Sequence, residues 1–319
     1  MTLLRLGPVP ARVVARATAF PSDPIDTPTL LARLAPGLPP ARRDALLAYL
    51  RAEVGVEQRA FVQGGERALD LAVRAAQGAL GQGPFQIAAH VHATSTPSRW
   101  TGPEAARIGQ ALGLDAAFFD VRSGCTGGLW ALHHGARLAA ESGACVLVTA
   151  ADAFSQAFDP DERMLPLAMG DGAAPLVLAP PRDDASAPAG GIVKALFGGR
   201  PALADLATVR AELPGRGEPL VLGGDPAAFG DAAEAALKEA WAALAAPDDA
   251  TVIIQTGRAG TARRVHARAE LASLARHGNI GAASALVAWC ELAPDAARSV
   301  AFASAGGGLS FGALWWREA

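Results

Sequence analysis

A layered α/β fold made of two related halves is what this sequence predicts, and three observations predict it. Short β-rich runs bounded by Gly, Asp and Pro alternate with Ala/Leu/Arg segments of helical length. A stretch of turn and breaker residues, PPRDDASAPAGG at 180–191, divides the chain into nearly comparable halves. A Gly-rich turn, a helix and a strand recur at one constant offset, with Gly124–Gly128 falling on Gly278–Ala282 and Cys145–Ala150 on Ser299–Ser304. The expected division is therefore 1–180 and 190–319.

In chain order, the expected helices are 66–80, 103–112 and 126–142 in the first half, and 230–245, 262–276 and 281–293 in the second. The expected buried strands are AFFDV (117–121), CVLVTAA (145–151), APLVLA (174–179), TVIIQT (251–256) and SVAFAS (299–304). Strands alternating with helices imply layers of helix on sheet. The offset does not hold for AFFDV against TVIIQT, so the internal match is local.

Composition excludes several classes. Hydrophobic residues are 51% of the 319 and charged residues 18%, enough apolar material for a core and too little charge for a disordered chain. Lys plus Arg number 28 against 31 Asp plus Glu, which argues against a nucleic-acid binder. Three cysteines cannot pair completely, so a reducing, cytoplasmic compartment is expected. Arg and Pro break every apolar run in MTLLRLGPVPARVVARATAF, so neither a signal peptide nor a spanning helix is expected. With no CxxC spacing, no metal site is expected.

Cys125 is the strongest candidate for chemistry. It follows AFFDV and the turn Arg122-Ser123-Gly124, and it opens the segment GGLWALHHGARLAAESG. A cysteine at a helix N-terminus sits against the positive end of the macrodipole, which favours the thiolate. Flanking glycines let a substrate approach closely, and the local N–H groups can hold an oxyanion. The competing reading is a small buried hydrophobe, which fits Cys145 and Cys290 better.

Asp120-Val121-Arg122-Ser123-Gly124-Cys125-Thr126-Gly127-Gly128, with Val146–Asp152 after the helix, resembles the nucleophile region of ketoacyl carrier-protein synthase III-type enzymes of the thiolase superfamily. Val54–Arg59, Gly170–Ala174, His277–Ser284 and Gly306–Gly312 resemble four further family segments, in the family's order. The resemblance implies a thiolase-like fold, two similar βαβαβ-type halves stacked as an α/β/α/β/α sandwich, in which Cys125 and Asn279 are pseudo-equivalent. It implies an acyltransferase in fatty-acid- or polyketide-related biosynthesis. Cys125 would take an acyl group from a coenzyme A or acyl-carrier-protein thioester, a substrate and not a cofactor, for a Claisen-type condensation. The N–H groups of Cys125 and Gly307 in the Gly306–Gly308 loop would form the oxyanion hole, and Asn279 would hold the second substrate's carbonyl. Asn279 reads equally well as a helix N-cap, and both roles are compatible.

One position departs from the family pattern. Where the family carries a catalytic His after the strand matching Val252-Ile253-Ile254, this chain reads Gln255-Thr256-Gly257, with Thr256 at the matching position. A hydroxyl cannot act as a base near pH 7. His92 and His277 are candidate substitutes, each with a packing role as the alternative. His90 and His92 alternate, so they would share one strand face. Arg59 and Arg258, with Arg263, are candidates for the phosphates of coenzyme A. The missing His leaves two other readings open: a non-catalytic helper subunit of a heteromeric ketosynthase pair, and non-decarboxylating acyl transfer to oxygen or nitrogen. The family is usually dimeric, so a homodimer or a heterodimer with a homologous ketosynthase is expected. VLVTAADAF is its expected edge. Loops near 85–100 and 155–168 are expected to shape an acyl tunnel.

Overall fold

The computed structural model describes residues 3–99, 101–158, 162–182, 190–210 and 221–318. Most of the expected linker, with Trp100 and 159–161 of the two expected tunnel loops, lies outside the described residues. The strands are β1 (Leu4–Leu6), β2 (Val9–Pro10), β3 (Arg12–Arg16), β4 (Pro24–Asp26), β5 (Gln58–Ala60), β6 (Ile87–Ala93), β7 (Ala117–Val121), β8 (Cys145–Ala153), β9 (Asp171–Ala179), β10 (Gly191–Gly199), β11 (Ala207–Arg210), β12 (Val221–Gly224), β13 (Thr251–Gln255), β14 (Ser299–Gly306) and β15 (Ser310–Arg317). The α-helices are α1 (Thr27–Leu34), α2 (Pro40–Tyr49), α3 (Ala68–Leu80), α4 (Glu104–Leu112), α5 (Gly127–Ser142), α6 (Pro226–Leu244), α7 (Ala259–Val265), α8 (Ala272–His277) and α9 (Ser284–Glu291).

Two sheets organise the molecule. The first runs β3-β9-β8-β6-β7, with β6 parallel to both β7 and β8, and β9 antiparallel to β8 and β3. The second runs β1-β10-β15-β14-β13, with β13 parallel to β14 and the rest antiparallel. Every residue of β9 is buried, as are all of β8 after Cys145, because helices cover both faces of the sheet. Helix α3 packs on one face of the first sheet and α5 on the other. Helices α5 and α9 touch each other between the sheets, and α6 covers the outer face of the second. The order is helix, sheet, helix, sheet, helix. The central core joins Val91, Leu129, Leu132, Val146 and Val148 to Ile253, Leu286, Trp289, Phe302 and Trp316.

The repeat at offset 154 corresponds to real elements. β8 and β14 occupy equivalent places, each parallel to one neighbour and antiparallel to the strand that follows it. The halves are not simple halves of the chain, since β1 and β2 pair with β10 in the second sheet.

Two elements depart from expectation. The segment expected as one helix over 262–276 is broken into α7 and α8. Glu270 donates its N–H to Val252 O (2.7 Å), and Ala269 bridges Val252, so this stretch lines β13 instead of continuing a helix. VLVTAADAF is no edge: β8 lies between β6 and β9. The edges of the first sheet are β3 and β7, and on β7 Phe118 is 51% exposed and Phe119 37%.

Candidate functional site

The turn between β7 and α5 is held by hydroxyls from both halves. Thr126 Oγ1 donates to Ser123 O (2.6 Å), and Ser310 Oγ donates to the same carbonyl (2.9 Å). Gly124 has φ 53°, in the left-handed region. A Cβ there would lie 2.8 Å from Gly307 N, so glycine is required on two counts. A Cβ on Gly306 would lie 2.3 Å from Cys125 N. The Gly306–Gly307 backbone therefore rests directly on Gly124–Cys125. This is where the sequence places Cys125 and Gly307 together, with Gly307 partly exposed.

Asn279 comes from the second half, ahead of α9. Its Oδ1 accepts from Gly281 N (3.1 Å), Ser284 Oγ (3.0 Å) and Gln255 Nε2 (3.0 Å). The capping and site roles are thus both present. The oxygen is consumed by the turn, which leaves the NH2 group for the site. Asp152, at the end of β8, fastens this turn to the first half by accepting from Ala282 N (2.7 Å). Its other oxygen accepts from Thr94 Oγ1, Ser95 N, Thr96 N and Thr96 Oγ1. Burial nevertheless raises the Asp152 carboxyl to about 6.

Beside Thr256, the position that the resemblance matches to the family His, Gln255 is the side chain that hydrogen-bonds to Asn279. Gln255 is 4% exposed, and Ser304 Oγ donates to its Oε1. Register explains this, since Gln255 pairs with Ser304 across β13 and β14. Ile253 belongs to the central core while Val252 and Ile254 face α6, so alternation points Gln255 inward. The nearby carboxamides of Gln255 and Asn279 both favour the Cys125 anion. That alternation was the signal available for Gln255. Ser304, fully buried beside it, carried no signal of its own.

The thiol does not follow the local helix argument. Burial raises Cys125 to about 11, and Asp152 adds to the rise. The two carboxamides offset the rise only in part.

Both candidate substitute bases are engaged by other partners. His90 and His92 do share a face, clustered on Thr149. His90 Nδ1 donates to Ala105 O (3.1 Å), so its Nε2 accepts from Thr149 Oγ1 (2.7 Å). His92 Nδ1 must then donate to Thr149 Oγ1 (2.8 Å), which leaves its bare Nε2 facing Glu104 Oε2 at 4.0 Å. Burial lowers both imidazoles to about 3. His277 stacks on Phe20 (3.8 Å between centroids) and bonds Glu291 Oε1 (2.7 Å). It is a packing residue.

Arg59 cannot meet a coenzyme A phosphate. It is fully buried, and its guanidinium donates to Leu167 O (2.7 Å) and Ile25 O (3.5 Å). Desolvation lowers it to about 10. Arg258 is exposed at the start of α7, and Arg263 donates to Ala52 O (3.1 Å). Among the described residues, no three His, Cys, Asp or Glu side chains could hold a metal ion together, and no helix is long and apolar enough to cross a membrane.

Residues 119–193, which contain the nucleophile turn, α5, β8 and β9, match the family described as 3-oxoacyl-[acyl-carrier-protein (ACP)] synthase III. The chain is 41% identical over 136 residues to the beta-ketoacyl-[acyl-carrier-protein] synthase III of Ruegeria pomeroyi, covering 41% of this chain and 42% of the relative. It is 35% identical over 136 residues to the acetoacetyl CoA synthase NphT7 of Streptomyces sp. (strain CL190), covering 41% of each. The matched segment thus spans about two fifths of the length of these relatives. The fold extends the likeness to the whole chain. The 3-oxoacyl-(acyl carrier protein) synthase III of Pseudomonas aeruginosa PAO1 superposes with a TM-score of 0.81 at 24% identity, over 97% of this chain and 98% of that one.

Proposed function

We propose, on the premise that the chain is synthase III-like in fold and in its nucleophile segment, that it is an acyltransferase working through an acyl-Cys125 thioester. The observation that carries this reading is the convergence on one residue, Cys125, of three parts. These are the Gly306–Gly307 backbone, the Asn279 carboxamide and the turn opening α5. In the first step Cys125 Sγ attacks the carbonyl of a coenzyme A or acyl-carrier-protein thioester. A new C–S bond forms, the donor's C–S bond breaks, and the thiol proton goes to the departing thiolate. The N–H groups of Cys125 and Gly307 hold the carbonyl oxygen as it becomes negative. The acyl group then passes to a second substrate, with Claisen-type condensation as the first reading and transfer to oxygen or nitrogen as the second.

Gln255 in place of a base favours one rival, a helper subunit that shapes a partner ketosynthase. Intact-protein mass spectrometry after incubation with acyl thioesters of increasing chain length separates the two. A mass gain equal to the acyl group, absent in Cys125→Ala, supports the enzyme. No gain with any donor supports the helper.

The same reading includes a dimer. Among the described residues no strand pairs with the outer side of β7, and Phe118 and Phe119 are exposed there. Pairing with a second copy would cover both.

A further inference from the structure

The proposed reaction raises a question that its nucleophile alone does not answer: what replaces the base. Gln255 is buried and fixed at both ends of its carboxamide. Ser304 Oγ donates to Oε1, so Nε2 is assigned as the end that donates to Asn279 Oδ1 at 3.0 Å. That bond, with those from Gly281 N and Ser284 Oγ, fills the acceptor side of Asn279 and turns its NH2 outward. The result is two neutral carboxamides, fixed on each other, beside one sulfur whose anion both favour.

We propose that Gln255 is a positioning and specificity-determining residue: it orients Asn279, supplies a second amide donor to Cys125, and restricts the enzyme to acceptors whose attacking electron pair is not made by proton removal on the protein. The inference rests on the acyl-Cys125 reading and goes beyond it.

The chemistry follows from what surrounds the sulfur. From β13 comes Gln255, held by Ser304 of β14; from the turn before α9 comes Asn279; and the Gly306–Gly307 backbone lies against that of Cys125. From β8 comes Asp152, the charged group that the thiol feels. A base must take a proton within hydrogen-bond reach. Carboxamides and a hydroxyl cannot do so near neutral pH, and five donors already occupy the two Asp152 oxygens. Donors without a base do serve the second half-reaction. The acceptor's electron pair forms a bond to the acyl carbon, the C–S bond to Cys125 breaks, and the sulfur leaves as a thiolate. The two N–H groups stabilise that anion as it forms, and solvent returns its proton.

Two measurements test the role. The first is alkylation of Cys125 by iodoacetamide from pH 7 to pH 10.5, located by peptide mass, which needs no substrate. The wild-type rate should rise about tenfold per pH unit without a plateau below pH 10, since only the thiolate reacts. Gln255→Leu should slow alkylation about tenfold at each pH below 10, one amide donor having been lost. Gln255→His should restore the rate and add an inflection near pH 6.5. An inflection near neutral pH in the wild type, or a Gln255→Leu profile identical to wild type, overturns the assignment. The second uses wild-type protein only, so it survives a variant that fails to fold. An acyl thioester is held in deuterated buffer, and exchange at the carbon next to its carbonyl is followed. No catalysed exchange is expected, and catalysed exchange refutes the restriction on acceptors. If Cys125 accepts no acyl group from any donor, the acyl-transfer reading and the acceptor class fall together, while the alkylation profiles still decide what Gln255 does.

Discussion

Gly306→Ala is the sharpest perturbation of the site's geometry. A Cβ on Gly306 would stand 2.3 Å from Cys125 N, 2.9 Å from its Cβ and 3.1 Å from its Cα. Real Cβ contacts essentially never fall under 3.0 Å, so one backbone must retreat by about 0.7 Å. No flexible side chain can absorb that movement, because two of the three atoms in the way are Cys125 backbone. The retreat separates the Cys125 N–H from the Gly307 N–H, the pair assigned to the oxyanion. Misplacement by about 1 Å costs on the order of a hundredfold in rate. We expect Cys125 acylation to slow by 30- to 100-fold, roughly 2–3 kcal/mol in the barrier, with overpacking lowering stability by about 1–3 kcal/mol. Single-turnover acylation followed by mass spectrometry measures the first, and urea unfolding the second. Acylation within threefold of wild type would refute the oxyanion assignment.

His277→Phe should keep the stack on Phe20 and lose the bond to Glu291, lowering stability by about 1 kcal/mol while acylation stays unchanged; urea midpoints and acylation rates check both. Asp152 has its carboxyl raised from 3.8 to about 6 in the folded state, which therefore binds the proton more tightly than the unfolded chain does. Its contribution is present below about pH 4 and is lost as pH rises to about 6, by roughly 3 kcal/mol. The stability difference between wild type and Asp152→Asn should accordingly move against wild type between pH 4 and pH 7 in urea titrations. Phe118→Lys on the β7 edge should convert the proposed dimer to monomer in sedimentation at micromolar concentration without loss of secondary structure.

The central strands were legible because they are buried on both faces. CVLVTAADA and DGAAPLVLA read as continuous apolar runs, and so did the lengths of α3, α4 and α5. β15 escaped notice because its glycine and paired tryptophans follow no simple alternation. α7 and α8 read as one helix because the bond that breaks it, Glu270 N–H to Val252 O, joins residues distant in sequence. Cys125, Asn279 and Gly307 were legible from local motifs. Arg59 was misread because its acceptors, Ile25 O and Leu167 O, lie 34 and 108 residues away. Gln255 was passed over for its neighbour Thr256, and only the inward face of β13 marks it as a residue of the site. The burial that raises Cys125 was not legible because the Gly306–Gly307 backbone that packs on it comes from the second half of the chain.

The most direct measurement of the account is peptide mapping of the protein after exposure to an acyl-carrier-protein thioester. The account predicts one acyl group, on the peptide containing Cys125, with Cys145 and Cys290 unmodified. Acyl label spread over all three cysteines, or present only on the other two, would contradict it.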